Sequence, residues 1–153
     1  MSLREIASQG GKKTPRVRGT KGRILTVKEI KRIRRRGYQA ERQLVSKLRA
    51  LGFKSVRVPV SAPSSETLPD VFATKGSWLL AFEVKSPNAD RSYFRRNQVK
   101  KLFDFLDMFE TYDKKLAVLA GKFPYKWVFK QVKEIDDYAV SKSERSNIRL
   151  NEI

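Results

Sequence analysis

Residues 68–86 read LPDVFATKGSWLLAFEVKS, and within them Trp78–Phe82 is an unbroken apolar run. A strand wetted on one side alternates apolar and polar side chains, so a short continuous run calls for a strand covered on both faces. The economical way to cover both faces is a mixed α/β sheet with helices above and below it. Three ionisable residues, Asp70, Glu83 and Lys85, interrupt this otherwise apolar pair of strands. Their presence there needs a chemical reason, because buried charge is costly.

The flanking sequence supplies the helices. Thr26 with Glu29 three residues on forms a capping-box pattern, and Ala40, Leu44, Val45, Leu48 and Leu51 then recur at helical spacing up to Gly52, a C-terminal cap. The spacing predicts a helical lead-in from Thr26, a break or bend at Gly37, and a core helix over Tyr38–Leu51. A β-branched strand over residues 54–60 follows, then a Ser- and Pro-rich loop, and then two strands, DVFAT and WLLAFEVK, around a Lys75–Gly76 turn. After a polar loop, Val99, Leu102, Phe103 and Leu106 mark a second amphipathic helix, with KLAVLAG and YKWVFKQV as late strands. The expected organisation is a basic arm over residues 1–25, a folded domain over 26–140 and a tail over 141–153. Phe103, Phe105, Phe109 and Trp127 are read either as core or as an interface.

Charge narrows the partner. The 153 residues carry 34 Lys plus Arg against 16 Asp plus Glu, a formal charge of +18. A large polyanion is the expected partner, nucleic acid foremost. No run approaches the roughly 18 apolar residues of a spanning helix, so no membrane partner is expected and the protein is read as intracellular, cytoplasmic or nucleoid-associated. With no Cys and no His, thiolate nucleophiles, imidazole acid–base chemistry and Cys/His zinc sites are excluded. Catalysis would have to run on carboxylates, amines, hydroxyls and an oxygen-liganded metal, with no small-molecule cofactor.

If Lys75 and Gly76 are the central turn residues, Asp70 faces Ala81, and Asp70 and Glu83 become diagonal neighbours about 7 Å apart on one face, with Lys85 beside them. One divalent cation could bridge those carboxylates. Glu41 lies on the apolar side of the first helix and is read as a third oxygen ligand for Mg²⁺, with Mn²⁺ as a substitute. Such a site hydrolyses phosphodiesters: the cation stabilises phosphoryl charge, and Lys85 adds charge or orients the attacking water. A surface hairpin with an incidental Glu83–Lys85 ion pair is the competing reading.

The helix QAERQLVSKLRALGF, the strand VRVPVS, the segment LPDVFATKGSWLLAFEVKS and the helix containing NQVKKLFDFLDMF together resemble archaeal Holliday junction resolvases over about residues 38–132. The resemblance implies a restriction-endonuclease-like fold, a homodimer and magnesium-dependent paired cuts in four-way junction DNA. By motif it assigns catalysis to Glu41, Asp70, Glu83 and Lys85, with Ser61 beside the scissile phosphate and Gln98 near the active centre. Ser64 and Ser65 compete with Ser61. The basic run KRIRRR, including Arg34, Arg35 and Arg36, together with Arg42, Arg57, Arg95 and Arg96, is read as phosphate-contacting. Another nuclease of the same fold (nicking, flap or restriction-type), a non-catalytic DNA-binding protein and an RNA nuclease remain the alternatives.

Overall fold

The computed structural model describes residues 22–59 and 66–153. It divides into two compact units, Met1–Arg34 and Arg35–Ile153. In the first, the capping box is present: Glu29 N–H donates to Thr26 Oγ1 at 3.2 Å and Thr26 N–H to Glu29 Oε2 at 2.8 Å. Helix α1 starts there and covers Val27–Ala50. It passes through Gly37 without the expected break. A single glycine costs a helix only about 1 kcal/mol relative to alanine, too little to end one that is otherwise sound. At its far end Gly52 takes φ +90°, while Gly52 N–H donates to Arg49 O at 3.1 Å and Phe53 N–H to Leu48 O at 3.0 Å. These are the two bonds of a Schellman cap, which a left-handed glycine closes without a Cβ penalty.

Among the described residues seven strands follow: β1 Lys54–Arg57, β2 Val71–Lys75, β3 Trp78–Lys85, β4 Arg91–Phe94, β5 Lys114–Phe123, β6 Lys126–Val132 and β7 Tyr138–Ser141, with α2 over Arg96–Asp107 between β4 and β5. The main sheet runs β1-β2-β3-β5-β6, and β4 pairs with β7 in a second small sheet. Only β3 and β5 are parallel, joined through α2; the other neighbours in the main sheet are antiparallel. Strand β4 was missed in the sequence because RSYF is short and polar, and its partner β7 lies some 45 residues on, where no local pattern can announce the pairing.

The apolar run of β3 is central, as expected. Leu80, Phe82 and Val84 pack into one core with Ala40, Leu44, Val45 and Leu48 of α1. Leu79 and Ala81 pack into the other with Val99, Leu102, Phe105 and Leu106 of α2. The aromatic strip divides between these cores: Phe105 is buried with Phe103 and Phe109 against it in the second, and Trp127 stacks on Phe129 at 5.5 Å in the first. The tail is irregular apart from a 3-10 turn at Leu150–Glu152, yet Leu150 is buried in the first core with Ile148 and Ile153 packed beside it.

The β2–β3 hairpin turns at Gly76–Ser77, not Lys75–Gly76, because Lys75 pairs with Trp78. Gly76 takes φ +57° as the first central residue, the pattern of a type II′ turn. The register therefore differs by two residues from the sequence expectation. A shift of two preserves which face each side chain takes, whereas a shift of one would have reversed it.

Candidate active site

Val71 pairs with Phe82, so one further step places Asp70 opposite Glu83 instead of diagonal to it. Alternation along β3 puts Glu83 and Lys85 on the same face as Leu79 and Ala81, the face covered by α2. The parallel register sets Glu83 beside Leu119 and Lys85 beside Gly121. A Cβ on Gly121 would meet Phe123 Cε2 at 2.9 Å and Val140 Cγ1 at 3.2 Å. Glycine therefore lets β7 close against the sheet next to Lys85.

Asp70 and Lys85 are both held by the fold. Asp70 Oδ2 accepts the Val84 N–H at 2.8 Å, which fixes the carboxylate against β3. Lys85 Nζ donates to the backbone carbonyl of Tyr93 and lies 5.2 Å from the centre of the Phe94 ring. Burial pushes the Asp70 carboxyl up to about 6 despite that N–H, and the Glu41 charge adds to the rise while Lys85 and Arg57 oppose it. Burial, then the Asp70 charge, pushes Glu83 up to about 8, against Lys85 and Lys101. Lys85 is moved down from the usual lysine range by burial, with Glu83 resisting and Arg95 assisting. Two carboxylates that repel each other in a dry setting, with an ammonium beside them, form a site whose electrostatics call for a further positive charge.

Glu41 has an ion-pair partner that the sequence reading did not name. It is 9% exposed on α1 and forms an ion pair with Arg57 Nε at 2.5 Å, and Arg57 also stacks over Tyr38 at 4.5 Å. Its carboxyl is still raised, burial outweighing Arg57. The cation that a carboxylate on the apolar side of a helix requires is thus an arginine of the same chain. Among the described residues no group of three or more His, Cys, Asp or Glu side chains is placed to hold a metal ion. Asp70 and Glu83 come together, and Glu41, ion-paired with Arg57, is near enough for its charge to raise both carboxyls.

Of the remaining expected residues, Arg95 acts electrostatically on Lys85, and several others have contacts of their own. Gln98 Oε1 accepts the Arg95 N–H at 3.0 Å and caps α2, leaving its amide nitrogen as the polar group not spent on the cap. Arg36 Nε donates to Ser86 O at 2.9 Å and its Nη1 bonds Asn88 Oδ1, so it latches α1 to the loop directly after Lys85. Arg34, Arg35, Arg42, Arg95 and Arg96 have exposed side chains; Arg42 also tempers Glu41, and the Arg96 N–H donates to Asp137 Oδ1 at 2.7 Å. Ser61, Ser64 and Ser65 lie outside the described residues. Sequence reasoning missed Lys101, whose charge reaches Glu83. The available signal was its position one helical turn after Gln98.

Comparison with known proteins settles the family. The model for the archaeal Holliday junction resolvase family matches residues 32–153. The chain belongs to that family. It is 44% identical over 105 residues to crossover junction endodeoxyribonuclease Hje of Sulfolobus acidocaldarius, covering 69% of this chain and 76% of the relative. It is 45% identical over 91 residues to the Hje of Saccharolobus solfataricus, covering 60% and 67%. A crossover junction endodeoxyribonuclease of Sulfolobus islandicus rod-shaped virus 1 is 39% identical over 77 residues, 50% of this chain and 64% of that protein. The solved structure of Archaeoglobus fulgidus Hjc, a Holliday junction resolvase, superposes with a TM-score of 0.58 at 28% identity, covering 70% of this chain and 89% of that one. The restriction-endonuclease-like α/β fold and the resolvase family thus agree with the sequence reading. Nucleases of this kind are metal-dependent. No helix among the described residues is long and apolar enough to cross a membrane.

Proposed function

We propose that this chain resolves four-way DNA junctions by Mg²⁺-dependent hydrolysis, with Mn²⁺ as a substitute metal, and that Asp70, Glu83 and Lys85 form its catalytic centre. The observation that carries this reading is the opposed, half-buried Asp70–Glu83 pair with Lys85 two residues on from Glu83 on the same face. The pair offers only oxygen donors, which suit a hard divalent cation, and its raised carboxyl pKa values mark a charge deficit that such a cation offsets. Asp70 and Glu83 would hold the metal, which when bound supplies Lewis-acid stabilisation of the charge that builds on the phosphoryl oxygens.

The protein's own contribution is positioning. The Val84 N–H fixes Asp70, and the Tyr93 carbonyl holds the Lys85 ammonium where it can donate to a phosphate oxygen as charge develops. Glu41 would complete the oxygen set for that cation, and Arg57, now its ion-pair partner, would serve a phosphate. Ser61 and Gln98 are assigned to the phosphate side. Arg34, Arg35, Arg36, Arg42, Arg95 and Arg96 contribute sequence-independent phosphate contacts, as recognition of a junction by shape requires. Two symmetric cuts need two such centres, most simply supplied by a two-fold homodimer.

The test is a substrate panel: an immobile four-way junction, a flap, a nicked duplex and a linear duplex, each incubated with Mg²⁺. Paired cuts near the branch point of the junction, with the other substrates spared, are expected. Equal cleavage of flap or linear DNA would replace junction resolution with a broader nuclease activity.

A further inference from the structure

Strand β4 presents two different faces. Ser92 and Phe94 are buried, whereas Arg91 and Tyr93 point outward, and Arg95 continues the outward series as the N-cap of α2. Tyr93 is 61% exposed, an unusual state for a large aromatic ring beside a charged site. The carbonyl of that same residue accepts the Lys85 ammonium, so the ring leaves the backbone at the residue that holds a catalytic group. Arg95 is close enough to help lower the Lys85 pKa, and Arg91 Nε donates to Ser141 Oγ at 3.2 Å, which holds the guanidinium along the strand. Pairing of Tyr93 with Ala139 on β7 keeps the strand from peeling away.

We propose that Tyr93 stacks on a base exposed at the branch point of the junction while Arg91 and Arg95, on the same outward face, contact the phosphates on either side. This rests on the junction reading above and names the residue that would detect the junction. An aromatic ring between two arginines, in a chain of +18 net charge, has the chemistry of a nucleic-acid stacking platform. A continuous duplex offers no free base face without unstacking a step, which costs a few kcal/mol. A four-way junction interrupts the stack at its centre, so the ring engages there at little cost. Arg91 and Arg95 lie about 13 Å apart along an extended strand, with Tyr93 midway.

The experiment measures binding in the presence of a chelator, so that no DNA is cut, to a junction carrying 2-aminopurine at each branch-point position in turn and to a linear duplex of the same arms. The variants are Tyr93→Thr, which keeps the carbonyl and strand propensity but removes the ring, and Tyr93→Trp, which keeps a stacking face. Expected are about tenfold weaker junction binding by Tyr93→Thr, less than twofold change on the duplex, and loss of the 2-aminopurine signal, with Tyr93→Trp near wild type. Arg91→Ala should lower the slope of log affinity against log salt by about one, and Tyr93→Thr should leave it unchanged. Junction binding by Tyr93→Thr within twofold of wild type, with the 2-aminopurine signal intact, overturns the inference. So does a sedimentation profile in which Tyr93→Thr changes the oligomeric state, since the ring would then face a second copy of the chain. A wild-type protein that shows no preference for the junction over the duplex would instead overturn the proposed function itself.

Discussion

Replacing Glu83 by glutamine should make the metal-free protein more stable at neutral and alkaline pH while destroying its activity. Glu83 titrates near 8 in the folded chain against an ordinary 4.5, and Asp70 near 6 against 3.8. Across that interval the native state binds more protons than the unfolded chain, so the slope of stability with pH is negative: stability is full below about pH 4 and is lost as pH rises towards 8. Lys85, shifted down, acts in the opposite sense and only at higher pH, where the unfolded chain binds the extra proton. The full Glu83 displacement is equivalent to roughly 5 kcal/mol, and sharing it between two interacting carboxyls leaves about 2–3 kcal/mol recoverable by the neutral glutamine. For a domain of this size that is roughly 8–12 °C in Tm. Thermal unfolding of wild type and Glu83→Gln with chelator, from pH 5 to pH 8.5, is the assay. The two curves should diverge as pH rises, and Mg²⁺ should raise the wild-type Tm most at the alkaline end. Parallel curves, or a Glu83→Gln protein less stable than wild type at pH 8, would refute the placement of Glu83 in a dry, like-charged pair.

Other expectations follow from single contacts. Arg57→Ala leaves Glu41 buried without its cation and should cost about 3–5 kcal/mol in denaturant unfolding, most of it restored by the double variant Arg57→Ala/Glu41→Gln. Leu44→Ala empties a fully buried position between α1 and β3 and should cost about 3–5 kcal/mol with the m-value unchanged. Tyr125, at φ +60° and 104% exposed in the turn between β5 and β6, occupies a conformation suited to glycine, so Tyr125→Gly should raise stability by about 1 kcal/mol.

The fold was legible where local pattern and burial agree. The spacing of Ala40, Leu44, Val45 and Leu48 announced a helix whose buried face is the one now packed on β3, and the unbroken WLLAF run announced a strand with cores on both sides. Gly52 and the Thr26–Glu29 box marked their ends because caps have local chemistry. The small β4–β7 sheet was not legible, since its pairing is set by contacts distant in sequence. That Asp70, Glu83 and Lys85 share one face was legible from strand parity, which survived a two-residue error in register. Glu41 was recognised as a carboxylate in need of a positive partner, but the sequence did not tell an arginine on β1 from a metal ion. The partner depends on which side chain of a distant segment reaches Glu41, and periodicity carries no information on that.

The most direct test of the site is cleavage of an end-labelled four-way junction with Mg²⁺ by wild type, Asp70→Asn and Glu83→Gln, alongside junction binding by the same three proteins. Paired branch-point cuts by wild type alone, with all three proteins binding the junction equally well or the variants better, are the result predicted by a half-buried carboxylate pair that serves chemistry. Full cleavage by either variant would contradict the assignment of that pair as the catalytic centre.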